Sequence, residues 1–244
     1  MSDRKTPASR HTLLLRLAGP MQSWGTQSRY SDRDTGLDPS KSGVIGLCCA
    51  ALGRPRDQSI DDLAGLRLGV RVDREGSLAV DYQTAGGSHR RGDSDSYGVV
   101  LANGAAGRTV LSNRYYLMDA DFLVGLEGTD AALDLLREID AALAAPHWPL
   151  ALGRKAFPPG QPVHLPAGGL RLNRCLLNAL RAEPWPTSER CRFVLEDDVG
   201  TSREIRHDQP LGAAFATREF LPRGVVTTFL EPAAIPAPRE GADE

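Results

Sequence analysis

The chain has 244 residues, of which 41% are hydrophobic and 25% are charged, a composition typical of a globular protein that can bury a sizeable core. It holds no run of about 18 apolar residues that would cross a membrane, and its first residues lack the apolar segment of a secretion signal, so we expect a cytoplasmic protein without a membrane partner. A net charge of −2 excludes a generally basic nucleic-acid coat.

The first predicted elements are a strand and a helix, joined by a polar loop. His11–Gly19 (HTLLLRLAG) is a Leu-rich run that ends at Gly-Pro, which indicates a strand. A helix is predicted over PSKSGVIGLCCAALG, with Asp38 as N-cap, Pro39 at the first helical position and Gly53 after the last turn. The free N–H groups of its first turn favour an anion such as a backbone phosphate. Three residues of this turn are candidates for phosphate binding: Ser40, Lys41 and Ser42.

Three strand-like segments, an insertion and a second helix follow. LRLGVRVD and LAVDYQTA are joined by REGS, which predicts a β-hairpin. A polar, Gly-rich insertion runs from Gly86 to Gly107, and RTVLSNRYYLMDADFLVGLEG then resumes the alternation of a strand, interrupted at DAD. TDAALDLLREIDAALAAP is predicted to be a helix that begins at Thr129 and ends before Pro146.

The fold class follows from the order of these elements. PLALGRKAFPPG is predicted to be a strand that breaks into a loop, so the order from His11 to about Ala156 is strand, helix, strand, strand, helix, strand. This order predicts an α+β fold of the ferredoxin-like, split βαβ type, with the insertion after its third strand. Beyond it we expect a short helix near Leu172–Arg181, strands around RCRFVLED and GVVTTFLEP, and a disordered Pro-rich end.

Charge is distributed unevenly along the chain. Residues 4–54 carry eight Lys or Arg against three Asp, and residues 147–182 carry five Lys or Arg and no acid. Residues 119–145 carry seven acids and one Arg. Such a chain can bind phosphate with one face and protein with another, although the sequence leaves open whether the basic segments converge in space.

No residue pattern predicts a metal site, a cofactor or a hydrolase. The four cysteines have no zinc-ligand spacing and are expected to be buried and reduced. Lys41 and Ser42 lack the preceding glycines of a nucleotide-binding phosphate loop. A metal-independent ribonuclease would need a histidine base. His89 is the best placed of the five histidines, and the alternative is that it simply contacts RNA.

The loop of residues 18–30 (AGPMQSWGTQSRY) combines an aromatic ring with amide side chains. Trp24 is either a core residue or a platform on which a base stacks, and both interpretations stay open. Gln22, Ser23 and Gln27 suit contacts to bases and sugar hydroxyls. Four cations recur in loops or at the ends of predicted elements, which favours a track of phosphate contacts: Arg29, Arg114, Arg154 and Lys155.

Three stretches of this sequence resemble a known family. LLLRLAGPMQSWGTQSRYSDRDT…PSKSGVIGLCCAALG, YYLMDADFLVGLEG and LALGRKAFPP resemble the CasD subunits of type I-E CRISPR Cascade complexes, within the repeat-associated RNA-binding superfamily. The similarity runs in register from Leu13 to about Pro159 and more loosely to Val226. It implies a ferredoxin-like (RRM-like) RNA-binding domain over residues 11–160 with a protruding thumb at about 83–113. A flexible segment 1–10, a smaller β-rich lobe over 161–230 and a disordered acidic tail over 231–244 complete the expected organisation.

The resemblance also implies a function and its partners. Such subunits bind the 5′ handle of CRISPR RNA, pack against the terminal backbone subunit and the large subunit, and meet target DNA only indirectly. A separate subunit cleaves the precursor RNA, so no catalysis is expected here. The motifs and the thumb supply the expected RNA contacts: Gln22, Ser23, Trp24, Arg29, Ser40, Lys41, Ser42, His89, Arg90, Arg91, Arg108, Arg114, Arg154 and Lys155.

Two alternatives stand beside this interpretation. A related branch of the family cleaves precursor CRISPR RNA itself, and His89 with a nearby Tyr or Lys could do so here. The chain could also be a structural adaptor that contacts only proteins.

Overall fold

The computed structural model describes residues 9–25, 31–86, 109–200, 202 and 204–232. Most of the predicted thumb, the first eight residues and most of the acidic tail lie outside these ranges. The described strands are β1 (Arg10–Ala18), β2 (Met21–Gln22), β3 (Asp32–Arg33), β4 (Arg67–Arg74), β5 (Ser77–Ala85), β6 (Val110–Met118), β7 (Asp121–Thr129), β8 (Leu170–Arg171), β9 (Cys191–Asp197), β10 (Glu204–Pro210) and β11 (Phe220–Leu230). The helices are α1 (Lys41–Leu52), α2 (Asp61–Ala64), α3 (Leu133–Ala144), α4 (Leu176–Ala182) and α5 (Ala214–Thr217).

These strands form two mainly antiparallel sheets in an α+β arrangement. The large sheet has seven strands in the order β10-β11-β9-β4-β7-β1-β8. The small sheet has four, in which β6 pairs with β2, β3 and β5. The strands of the predicted C-terminal lobe continue the large sheet, because β9 pairs with β4.

The Leu-rich run of β1 is explained by burial on both of its faces. Leu13, Leu15 and Leu17 belong to the core shared with α1 and α3, whereas Leu14 packs with Leu176 of α4 on the other face. A strand that is covered on both sides reads as a continuous apolar run rather than an alternating one. The strand predicted over His11–Gly19 is therefore confirmed.

The predicted hairpin of β4 and β5 is wrong. β4 lies in the large sheet between β7 and β9, while β5 pairs with β6 in the small sheet, from Ser77 opposite Met118 to Ala85 opposite Val110. Two residues with positive φ lie where the chain passes between the sheets, Gly76 at 73° and Asp119 at 53°. β4 is buried along most of its length, whereas alternate residues of β5 are exposed, so the two strands suit different sheets.

The strand predicted over PLALGRKAFPPG is also wrong, since residues 150–160 form a loop of turns. The edge strand beside β1 is the two-residue β8, which pairs Thr12 with Arg171 and Leu13 with Leu170. The helix predicted from Thr129 begins with a 3₁₀ turn, and α3 itself starts at Leu133. Its apolar face is buried as predicted, through Leu136, Ile139 and Leu143.

The four cysteines are free thiols, and all but the half-buried Cys175 are buried. Burial raises the pKa of Cys48 to about 12 and that of Cys49 to about 11. Among the helices that the structure describes, none has the length and apolar character needed to span a membrane.

Candidate nucleic-acid interface

The N-terminus of α1 already holds an anion, and the anion is part of this chain. The helix begins at Lys41 with Ser40 as N-cap, whose hydroxyl accepts the Gly43 N–H at 3.3 Å. The Lys41 backbone N–H donates to the carboxylate of Asp208 at 2.7 Å. A phosphate at this position would have to displace that carboxylate.

The structure also corrects the predicted start of α1. Asp38 is not the N-cap, because its carboxylate binds the guanidinium groups of Arg192 and Arg206. Pro39 precedes the N-cap rather than opening the helix. Gly53 follows the last turn, as predicted, and adopts the left-handed conformation.

The structure also corrects the expectation that Lys41 faces outward. Its side chain is 1% exposed, and its ammonium binds Glu196 at 2.9 Å. Burial lowers the pKa of Lys41, although the charge and hydrogen bond of Glu196 oppose this shift. Ser40 is buried beside it and Ser42 is half-buried, so the first turn of α1 offers little surface to a ligand.

Burial decides between the two interpretations of Trp24, because its side chain is 1% exposed. A Cβ at Gly43 would lie 2.8 Å from the Trp24 ring, so the indole packs directly on α1. Gln22 is fully buried: its amide nitrogen donates to the carbonyls of Leu17 and Ala120 at 3.0 and 2.8 Å, and its oxygen accepts the indole N–H at 3.2 Å. These side chains belong to the core and do not face outward as expected.

The backbone around Trp24 fixes the neighbouring loops. Its carbonyl accepts the Gly36 N–H at 2.7 Å, which holds the chain just after β3. The N–H of the buried Ser23 donates to the Leu152 carbonyl at 3.0 Å, which holds the 150–160 loop. Gly153 has φ 87°, and a Cβ there would lie 1.7 Å from the Ser23 carbonyl oxygen. The next residue in this loop is Arg154.

Three arginines from separate parts of the chain converge at this point. Arg33 of β3 lies opposite Arg114 of β6 in the parallel pairing of the two strands. The Nη2 of Arg154 donates to the Arg33 carbonyl at 3.0 Å, and its guanidinium lies 5.7 Å from the centre of the Phe157 ring. We call Arg33, Arg114 and Arg154 the basic cluster.

The electrostatics of the basic cluster favour an anion. Burial and then the charges of Arg114 and Arg33 lower the pKa of Arg154, although the carboxylates of Asp34 and Asp81 oppose the shift. The Nη1 of Arg154 is buried and has no hydrogen-bond partner within the part of the chain that the structure describes. Guanidinium groups that lie close together repel one another, and a phosphate bound beside the exposed part of the cluster would offset that repulsion.

The structure thus divides the predicted contacts into three groups. Arg114 and Arg154 are half-buried in the basic cluster, and Lys155 is exposed beside it. Five of the predicted contacts are buried and Ser42 is half-buried; the buried ones are Gln22, Ser23, Trp24, Ser40 and Lys41. The remaining candidates lie outside the described residues: Arg29, His89, Arg90, Arg91 and Arg108.

Arg33 was missed because its partner is distant in sequence. It lies in the turn-rich segment YSDRDTGLD, and its proximity to Arg114 depends on a parallel pairing of two-residue length. Its basic character within the charged segment 4–54 was the one available signal.

Two histidines of the described residues each lie beside an aspartate. His11 binds Asp130 at 2.9 Å, and His164 lies 3.3 Å from Asp140. Within the described residues, no group of three or more His, Cys, Asp or Glu side chains is arranged to hold a metal ion.

Comparisons with known proteins identify relatives of this chain in both sequence and fold. The family model of the CRISPR-associated protein Cas5 matches residues 12–226. The Cascade subunit CasD of Escherichia coli strain K12 is 34% identical over 167 residues, which are 64% of this chain and 70% of that protein. A solved Cas protein is 41% identical with a TM-score of 0.70, over 91% of this chain and 95% of that one. A chain from a CRISPR RNA-guided surveillance complex is 32% identical with a TM-score of 0.72, over 91% of each.

The family match covers most of the chain, and two of the solved structures share both its fold and more than 30% of its aligned residues. The resemblance seen in the sequence motifs is thereby confirmed. This chain belongs to the CRISPR-associated Cas5 protein family.

Proposed function

We propose that this protein is a non-catalytic subunit of a CRISPR Cascade surveillance complex that binds the 5′ handle of CRISPR RNA with its basic cluster. It caps the backbone filament beside the large subunit and meets target DNA only indirectly. The observation that carries the proposal is the convergence of Arg33, Arg114 and Arg154, where the charges of the first two lower the pKa of the third. A relative that is a Cascade subunit and another that belongs to a CRISPR RNA-guided surveillance complex support the assignment to such a complex.

The strand order supports a ferredoxin-like core for this binding. β1 lies between β7 and β8, and β7 lies between β1 and β4. The chain passes from β1 through α1 to β4 and from β7 through α3 to β8, which is the split βαβ connectivity. In this proposal the β5–β6 hairpin is the base of the thumb, and the basic cluster lies beside the middle of that hairpin, because Arg114 of β6 lies opposite Asp81 of β5.

Contacts to phosphates account for the affinity of this site for RNA. They do not determine which nucleotides of the handle occupy it, so further contacts are needed. Arginine forks bind phosphate oxygens in a bidentate manner, and the cation–π contact with Phe157 holds one fork in place. Contacts to bases and 2′-hydroxyls then set the register of a single strand. We propose that the thumb supplies them.

The test is RNA binding by the full-length chain, measured by fluorescence anisotropy over a range of salt concentrations. One RNA carries a 5′ handle and the other has the handle scrambled. The double variant Arg114→Ala/Arg154→Ala is expected to bind the handle RNA more weakly. The magnitude of the slope of log K against log salt should decrease by about 1.4, since each single-strand phosphate contact contributes about 0.7. The matched control Arg56→Ala/Arg137→Ala removes the same charge at exposed positions and is expected to bind as the wild type does.

Two results would overturn the proposal. Equal affinity of the cluster variant and the control for handle RNA would favour a protein-only adaptor. Cleavage of repeat RNA in EDTA, abolished by His89→Ala, would establish the endonuclease alternative.

A further inference from the structure

A guanidinium in the C-terminal half of the large sheet binds two segments that lead to the basic cluster. It belongs to Arg192 of β9, which lies opposite Val72 of β4 in the antiparallel pairing of these strands. This register places it beside the two-residue connection, Glu75 and Gly76, that joins β4 to β5. The Arg192 side chain is only 12% exposed, so its charge requires acidic partners close by.

Arg192 bonds a residue of each segment. Its Nε and Nη2 donate to the two carboxylate oxygens of Glu75 at 2.8 and 2.6 Å. Its Nη1 donates to the buried carboxylate of Asp38 at 2.9 Å, and its Nη2 also donates to the Leu37 carbonyl at 3.1 Å. A guanidinium fork between charged partners is strong and fixes their relative orientation. We call Arg192, Glu75, Asp38 and Leu37 the Arg192 clamp.

Both segments of the Arg192 clamp lead to arginines of the basic cluster. Arg33 of β3 lies four residues before Leu37, and Arg114 of β6 lies in the hairpin that follows Glu75. β3 pairs with β6 over two residues, a length that is marginal without further support. Because Arg154 donates to the Arg33 carbonyl, a displacement of β3 would disturb all three arginines.

We infer that Arg192 is a positioning residue for RNA binding, which holds β3 against the β5–β6 hairpin and so keeps the basic cluster assembled. The inference rests on the proposed function, in which the cluster is the RNA site. It gives the C-terminal strands a part in RNA binding, although the predicted contacts all precede them and end at Lys155. Arg192 acts through the cluster rather than on RNA, because its own guanidinium is occupied by two carboxylates.

The variant Glu75→Ala tests the inference in the full-length chain, because loss of charge and loss of the clamp act in opposite directions. Removal of a negative charge by itself would strengthen RNA binding. Loss of the clamp should instead weaken handle-RNA binding about threefold or more, a factor typical of coupled neighbours. Glu75 is 55% exposed, so the fold should persist, which circular dichroism verifies. The control Glu138→Ala removes the same charge at an exposed position of α3 and should bind at least as tightly as the wild type.

Two further measurements separate positioning from a general loss of stability. In the Arg114→Ala/Arg154→Ala background, Glu75→Ala should cause no further loss of affinity, because its effect passes through the cluster. The second measurement is amide hydrogen exchange at Asn113, whose N–H donates to the carbonyl just before β3 at 2.8 Å. This exchange should be about threefold faster or more in Glu75→Ala than in the control.

The outcomes separate this inference from the handle proposal. If Arg114→Ala/Arg154→Ala binds handle RNA as its own control does, the handle proposal fails, and exchange at Asn113 alone decides whether the clamp holds β3. If that variant loses affinity, a further loss by Glu75→Ala that is confined to the wild-type background, with faster exchange, supports the inference. Unchanged exchange, an equal loss in both backgrounds, or binding that matches Glu138→Ala overturns it.

Discussion

The carboxylate of Asp208 binds the guanidinium of Arg223 through both oxygens, at 2.9 and 2.8 Å, while it also caps α1. Both side chains are nearly fully buried. Removal of one member of a buried ion pair leaves the other charge uncompensated, at a cost of about 3 kcal/mol. We expect Asp208→Asn to lower the free energy of unfolding by about this amount in urea denaturation. Asp134→Asn, at the exposed i,i+3 pair with Arg137, should change it by less than about 0.5 kcal/mol.

The same carboxylate predicts a loss of stability in acid. Burial by itself would raise the pKa of Asp208, but the hydrogen bond and charge of Arg223 and the Lys41 N–H hold the pKa below its ordinary value. A carboxylate with a depressed folded-state pKa stabilises the fold above its unfolded pKa of about 3.9, and this contribution is lost as pH falls through the folded value. The difference in unfolding free energy between wild type and Asp208→Asn should therefore shrink below about pH 4. A difference that stays constant from pH 6 to pH 3 would contradict this.

Lys41 distinguishes a structural cation from an RNA contact. Its ammonium is buried against Glu196, so Lys41→Met removes a buried charge partner and should lower the midpoint of urea unfolding. Because the side chain is 1% exposed, we expect handle-RNA binding to keep the salt dependence of the wild type. The informative comparison is with Lys155→Met, at an exposed lysine beside the basic cluster, which should weaken binding without a change in stability. A shallower salt slope for Lys41→Met would contradict the burial of its charge.

Gln22 should be a stability determinant rather than an RNA contact. Its amide satisfies two carbonyl oxygens and one indole N–H in the core. Gln22→Leu leaves these three groups without their partner, at a cost of about 1–3 kcal/mol for a buried group left unsatisfied. Urea unfolding should show this loss, whereas Gln58→Leu, at an exposed turn residue, should be nearly neutral.

Gly153 connects backbone conformation to the position of Arg154. Its φ is 87°, and a Cβ would collide with the Ser23 carbonyl oxygen. Gly153→Ala should therefore lower stability and weaken handle-RNA binding together, because the collision displaces the loop. Gly212→Ala is the matched control: φ is 56° there, but nothing lies within 4 Å of a Cβ, so only the conformational cost of about 1 kcal/mol remains. If both variants bind RNA equally well, the loop does not depend on this contact.

Local patterns predicted the parts of this fold that local interactions determine. The apolar run of β1, the buried stripe of α3 and the end of α1 at Gly53 were all predictable from residues within a few positions of one another. The partner of β5 was not, because hairpin spacing favoured β4 and the true partner β6 lies beyond the insertion. Tertiary pairing overrode the local signal.

The candidate site was less predictable for the same physical reason. The charge of Lys41 suggested that this side chain lies at the surface. Its two anionic partners, Glu196 and Asp208, are however 155 and 167 residues away in the sequence. The convergence of Arg33 and Arg154 likewise joins residues 121 positions apart. The sequence shows which residues are basic, but only the fold separates those that are buried against acidic partners, such as Lys41, from those that lie at the surface, such as Lys155.

Two short connections, at Gly76 and Asp119, join the β5–β6 hairpin to the large sheet. Each of its strands continues, through two residues, into one of two adjacent strands in the middle of the large sheet, β4 and β7. A load applied to the hairpin by a bound subunit or strand of RNA therefore acts on the middle of that sheet rather than on an edge. Assembly should accordingly slow amide hydrogen exchange in β4 and β7, far from the surface where the partner is held.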